Sequence, residues 1–258
     1  MRPARMSAGP GPVVLVAHGS RDPRAAVATR ALVRAVGAAR PGLLVRASYL
    51  DHSTPRPGAV LHELAAAGHQ RATVVPLLFT AAYHGRVDVP GAITAARAEG
   101  LQMAVRVTDV LGPVAVPDPP DELLLAALGR RLAESGAGAA DGVVLASAGT
   151  RDESARRTVE AVADALGELL GVPCLAAYAS AAQPSAGAAV RRLRAGGARR
   201  VAVAGYFLAP GWLYDAAVSS ARDAGAVTVA APLTDAPELA RLVLYRAESA
   251  ILTHSDHC

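Results

Sequence analysis

Three side chains able to bind a metal stand just past three apolar runs in the first half of the chain. His18 follows "VVLVA", Asp51 closes "LLVRASYLD", and His84 lies shortly after "RATVVPLLFTA". Two neutral imidazoles and one carboxylate make a donor set for a divalent transition ion, and three protein donors leave positions open for a substrate. Of the seven histidines, His18, His52, His62, His69 and His84 lie in the first half, and His254 and His257 fall among the last five residues. The body of the second half has none. A histidine after a strand can also serve as a turn residue, and Asp51 can form an Asx turn ahead of Pro55. The joint placement is what favours ligands. Strand alternation sends Asp51 and His52 to opposite faces, so one of the two is expected to reach the site. His62 and His69, in or at the end of a helix, are expected in solvent.

Other polar residues near these positions have simpler roles. Asp22, followed by Pro23, reads as a helix N-cap rather than a catalyst. Ser20 lacks the Gly-x-Ser-x-Gly surroundings of a hydrolase nucleophile, and "GSRD" lacks the glycine spacing of a dinucleotide or phosphate loop. Asp88, four residues after His84, can orient that imidazole or favour the start of the next helix through its charge. The tail "THSDHC" carries His254, His257 and Cys258 and reads as a disordered terminus.

Strands alternate with helices throughout, which predicts an α/β fold with right-handed crossovers and parallel sheets covered on both faces. Expected helices run from Asp22–Pro23 to about Ala39, over "PGAVLHELAAAG" and over "VDVPGAITAARAEG", with "LQMAVRVTDVLG" as a fourth strand. "PVAVPDPPDE", residues 113–122, carries four prolines and reads as the connector. The helix it introduces, "DELLLAALGRRLAES", belongs either to the first half or to a bridge between halves. The pattern then restarts with "GVVLASAG" and ends on the strand "AVTVAAPL". Equivalent residues recur at offsets of about 129–130: Val14 with Val144, Asp22 with Asp152, Tyr49 with Tyr178, Pro55 with Pro184. Duplication explains this. The expected division is a flexible 1–12, a first domain 13–137 with the metal site, a degenerate second domain 138–251 and a tail 252–258. In the second half Ala148 and Ser180 stand where His18 and Asp51 stood, with about Leu213 in place of His84.

In the 258 residues, 52% hydrophobic content against 3% aromatic predicts a core of small aliphatic side chains. The charge of +4 comes from arginines spread along the chain. That is weak evidence for a nucleic-acid surface and is compatible with a pocket for a polyanionic small molecule, and the charge alone does not choose between them. Two cysteines without a Cys-x-x-Cys pair predict neither a disulfide framework nor a cysteine zinc site. No apolar run suits a membrane span or a signal peptide, so a soluble cytoplasmic protein with no membrane or nucleic-acid partner is expected.

Three stretches resemble the sirohydrochlorin chelatase family, small class II chelatases that include tandem two-half members. They are "LVAHGSRDPRA" at Leu15–Ala25, "ASYLDHSTP" at Ala47–Pro55, and "VVPLLFTAAYHGRVDVP" at Val74–Pro90 with its His-x-x-x-Asp-(Ile/Val)-Pro ending. The resemblance covers essentially the whole chain. It implies insertion of Co²⁺ or Fe²⁺, as metal substrate and with no tightly bound cofactor, into the tetrapyrrole sirohydrochlorin on the way to cobalamin or sirohaem. It implies that His18 and His84 are the metal-binding and catalytic histidines and that Asp51 is their acidic partner, where the family usually carries glutamate. Arg21, Arg24 and Arg86, near the motif ends, are candidate anchors for substrate carboxylates, and Asp88 a support for His84. The second half is expected to wall the cleft, with Trp212 and Tyr214 offering flat faces or filling the core. A carrier that binds metal or tetrapyrrole without inserting one is the alternative. The oligomeric state stays open.

Overall fold

The computed structural model describes residues 11–81 and 87–252. Apart from residues 11, 12 and 252, the stretches read as a flexible N-terminus and tail lie outside it, as do His84, Arg86, His254, His257 and Cys258.

In the first half, β1 (Val13–Ala17), β2 (Val45–Tyr49), β3 (Arg71–Pro76) and β4 (Ala104–Val107) alternate with α1 (Pro23–Ala39), α2 (Pro57–Ala66) and α3 (Val89–Ala98). α4 (Glu122–Glu134) follows the proline-rich connector. The second half repeats the pattern with β5 (Gly142–Ser147), α5 (Glu153–Leu170), β6 (Cys174–Tyr178), α6 (Ala186–Ala195), β7 (Val201–Tyr206), α7 (Trp212–Asp223) and β8 (Thr228–Val229). The chain then adds α8 (Pro237–Leu252), where the periodicity reading stopped at the last strand. The two sheets are parallel and equivalent, ordered β2-β1-β3-β4 and β6-β5-β7-β8.

Local chemistry starts the helices. Asp22 accepts a hydrogen bond from the Arg24 N–H with Pro23 in the first turn, and Asp152 accepts from the N–H groups of Ser154 and Ala155. Each satisfies backbone donors that a helix start leaves unpaired. Alternate residues of the central strands face opposite layers. Val13, Leu15 and Ala17 turn inward and Val14 and Val16 outward, while Val143 and Leu145 turn inward and Val144 and Ala146 outward.

The inward faces of both sheets share one apolar core, filled by α1, α4, α5 and α8. The helices that close this core are exchanged between the halves. α4 packs on α5 and β7 of the second sheet, and α8 returns to pack on α1 and β3 of the first. That answers the question the sequence left open about the helix after the connector. Leu124 and Leu128 of α4 and Leu239, Leu242 and Val243 of α8 are fully buried there. α2 and α3 cover the outside of the first sheet, and α6 and α7 that of the second.

Candidate metal and macrocycle site

In a sheet ordered β2-β1-β3-β4 the connections diverge between β1 and β3, and ligands bind beyond the strand ends at such a point. His18 is the first residue past β1. Its half-buried ring places Nδ1 3.1 Å from the Gly19 carbonyl oxygen. A carbonyl can only accept, so this contact suits the tautomer that carries its proton on Nδ1.

The backbone brings Asp51 to His18. Pairing of β1 with β2 continues past the strands, with Leu50 N–H donating to Ala17 O at 2.9 Å and Asp51 N–H to His18 O at 2.8 Å. Gly19 then crosses the Asp51 turn so closely that a Cβ there would lie 1.8 Å from the Asp51 carbonyl oxygen. Its φ of +91° is in the left-handed region, where a side chain is unfavourable. The second half repeats the turn. Ser180 N–H donates to Ala148 O at 3.1 Å, Gly149 has φ +92°, and its Cβ would meet Ser180 O at 1.9 Å. The scaffold is duplicated without the donors: Ala148 has no ring, and the Ser180 hydroxyl donates to the Ala148 carbonyl at 2.9 Å.

Of Asp51 and His52, only Asp51 lines either of the two cavities described below, although strand alternation is not what separates the pair. β2 ends at Tyr49, and His52 sits at φ +55° in a tight turn to which strand alternation does not apply. The turn brings the His52 ring to 6.4 Å from that of His18, between centroids, with Nε2 3.4 Å from Asp51 Oδ2. His52 N–H donates to Asp51 Oδ1 at 2.8 Å. This backbone bond, with the nearby His52 ring and Arg56, holds the Asp51 carboxyl below the usual carboxylate range. The anion that a cation would need is therefore favoured. The polar, proline-containing stretch "DHSTP" already reads as a turn in the sequence.

The remaining candidates divide. Arg24 is already engaged, with one guanidinium nitrogen 2.6 Å from both Asp22 Oδ2 and Asp215 Oδ2, which ties α1 to α7. Arg21 is exposed on the loop after His18, and Asp88 stands at the N-cap position of α3. His84 and Arg86 lie outside the described residues. Among those residues no three His, Cys, Asp or Glu close into a metal-holding cluster. Ser20 and Thr150 each accept a hydrogen bond from the N–H of the following cap, Asp22 or Asp152, which accounts for them as turn residues.

A cleft of about 900 Å³ separates the halves at these strand ends, within the size range of small-molecule sites. His18, Gly19, Phe79 and Val87 line one side; Ala148, Arg151 and Trp212 line the other. A second groove of about 690 Å³ runs outside, between the Asp51 turn and α3, and His18 also borders it. Tyr206 anchors the cleft floor: its ring stacks on Phe79 at 4.7 Å and its hydroxyl donates to the Phe79 carbonyl at 3.1 Å. Tyr214 is a packing residue, edge-on to Phe207 with its hydroxyl donating to Ala230 O. Arg151 was passed over in the sequence although it stands 130 residues after Arg21.

The CbiX family model matches this chain twice, over residues 12–135 and 142–250. No curated protein matches. Among solved structures, SirB from Bacillus subtilis with Fe³⁺ is 20% identical, with a TM-score of 0.79 over 95% of this chain and 97% of that one. The sirohydrochlorin chelatase SirB from Bacillus subtilis subspecies spizizenii in complex with cobalt is 19% identical, with a TM-score of 0.75 over the same shares. A multi-domain Deinococcus radiodurans protein with structural similarity to chelatases is 19% identical, with a TM-score of 0.69 over 94% of this chain and 56% of that one. At these identities the likeness is one of fold. The two family matches each take in one four-stranded sheet and together span nearly all of the chain, which belongs to the CbiX family.

Proposed function

We propose that the chain is a chelatase that inserts Co²⁺ or Fe²⁺ into sirohydrochlorin. The observation that carries this is His18, which lines the 900 Å³ cleft and is joined through the backbone to Asp51 in the groove beside it, the groove that His18 also borders. Such a set holds a divalent ion through one or two imidazoles and a carboxylate and still leaves room for an incoming macrocycle. Membership in the CbiX family and the likeness to SirB support it.

In this reading His18 and His84 present the ion, and Asp51 lowers the cost of stripping its water. Each M²⁺ that enters the ring displaces two pyrrole N–H protons. An imidazole that has handed over the ion takes up one of them near neutral pH and passes it to solvent, and water takes the other. The first half, about 13–137, carries this chemistry, while the second, about 138–251, shapes the cleft. Arg21 and Arg86 assist with substrate carboxylates, and Asp88 steadies His84. Among the described residues no helix is long and apolar enough to cross a membrane. We place the enzyme in the cytoplasm, on a route to cobalamin or sirohaem.

The test is anaerobic absorbance of sirohydrochlorin with Co²⁺ and separately with Fe²⁺. Wild type is expected to exceed the uncatalysed rate, and His18→Ala and His84→Ala to fall to it, a loss of at least about 100-fold for a group that binds the reacting ion. A wild type no faster than buffer, despite bound macrocycle, would overturn the chelatase reading in favour of a carrier.

A further inference from the structure

We infer that Arg151 anchors a carboxylate of the macrocycle and that Trp212 supplies the flat face beside it. The half that lost its metal donors would then recognise the organic substrate. This rests on the chelatase reading and extends it to residues of the second half. The duplicated turn fixes the placement. Gly149 repeats the left-handed geometry of Gly19, and the Arg156 guanidinium donates to the carbonyls of Thr150 at 3.2 Å and Arg151 at 2.9 Å. The backbone is thus held while the Arg151 side chain stays exposed along the cleft wall, with no ion pair among the described residues. Two carboxylates of these loops have other duties, since Asp152 caps α5 and Asp215 takes Arg24. Among the described residues the Arg151 guanidinium thus has no carboxylate partner, and its planar fork matches a carboxylate bidentately.

Trp212 begins α7 on the same wall and is 83% exposed, the largest exposure among the large apolar side chains described. An indole left in water on the cleft that Arg151 also lines suits a flat, conjugated polyacid: the ring covers the indole and a peripheral carboxylate reaches Arg151. Ala148, in the place of His18, removes the imidazole that would otherwise narrow this wall. The two walls thus divide the reaction, with the ion on His18 and the ring on the opposite face.

Trp212 is the sole tryptophan of the chain, so its emission reports on this wall directly. The experiment titrates metal-free sirohydrochlorin, without any metal, into full-length wild type, Arg151→Ala, Arg151→Lys and Arg191→Ala, the last removing an exposed charge from α6. Melting curves check that each variant is folded. Wild type is expected to show saturable quenching. Arg151→Ala should raise Kd roughly tenfold, as for a partly exposed charge-assisted pair. Arg151→Lys should recover part of the loss, and Arg191→Ala should keep wild-type affinity. Trp212→Phe, followed by the absorbance of the macrocycle, should also bind more weakly. Wild-type binding left unchanged by Arg151→Ala would overturn the anchor and leave the chelatase reading standing. A wild type that neither binds nor metallates the macrocycle would overturn the reading beneath it.

Discussion

At the scale of single residues, the site depends on a close backbone approach as much as on its donors. Gly19 and Gly149 occupy equivalent turns, each with no room for a Cβ against the facing carbonyl. Only the first lies between the proposed metal donors His18 and Asp51. Alanine at either position should cost about 2–4 kcal/mol, because the facing turn must shift and the residue must hold a positive φ. Gly19→Ala should in addition abolish high-affinity Co²⁺ binding by moving His18 away from Asp51, whereas Gly149→Ala should retain it. Thermal melts paired with Co²⁺ titration test this, and equal loss of binding in both variants would mean that the donors are not confined to the first half. His52 belongs to the same lesson: a turn residue at φ +55°, it comes beside Asp51 because the strand ended two residues earlier than alternation assumed.

The helices exchanged between halves are fastened by ion pairs as well as by their apolar stripes. Arg130 of α4 donates to both oxygens of Glu238 at the start of α8, at 2.6–2.9 Å, with the Glu238 side chain 8% exposed. The guanidinium holds the Glu238 carboxyl below its ordinary value of 4.5. A carboxylate lowered on folding adds stability above its unfolded value, and that contribution disappears as pH falls through the folded one. Glu238→Gln should therefore lower stability at pH 7 by about 1 kcal/mol, a modest figure because Arg130 is half exposed. The difference from wild type should be complete above about pH 4.5 and close on acidification below it. Melting at pH 7 and pH 3.5 decides this; a gap that widens in acid would rule out the pair as its source.

For the whole molecule, the single inner core makes each half dependent on the other. Cutting after residue 135 would leave α4 without β7 and α5, and β3 and α1 without α8. Fully buried leucines such as Leu15, Leu32 and Leu124 would meet water, each at a cost of roughly 1.5–3 kcal/mol. A 1–135 fragment should accordingly show no cooperative melting transition as a monomer, by circular dichroism with sedimentation. A monomeric fragment that melts cooperatively would refute the shared-core account. The same arrangement suits the proposed division of chemistry, because a cleft made by two fixed walls lets one carry the metal donors while the other changes.

Much of this was legible in the residues. Apolar runs of strand length, the Asp22–Pro23 and Asp152 caps, and the offset of about 130 residues all record short-range rules: burial on both strand faces, unpaired N–H groups at helix starts, and a repeated turn. His18 and Asp51 could be picked out because the end of a parallel strand is a defined place. Other features depend on groups far apart in the chain. The last helix was missed, and no local pattern could say that α4 and α8 exchange partners, since either sheet offers an apolar face and long-range packing selects between them. Arg24 looked like a free anchor until folding set Asp215, 191 residues away, against it. Arg151 gained its place on the cleft wall in the same way: periodicity marks where a side chain leaves the backbone, but the opposing half determines what it faces.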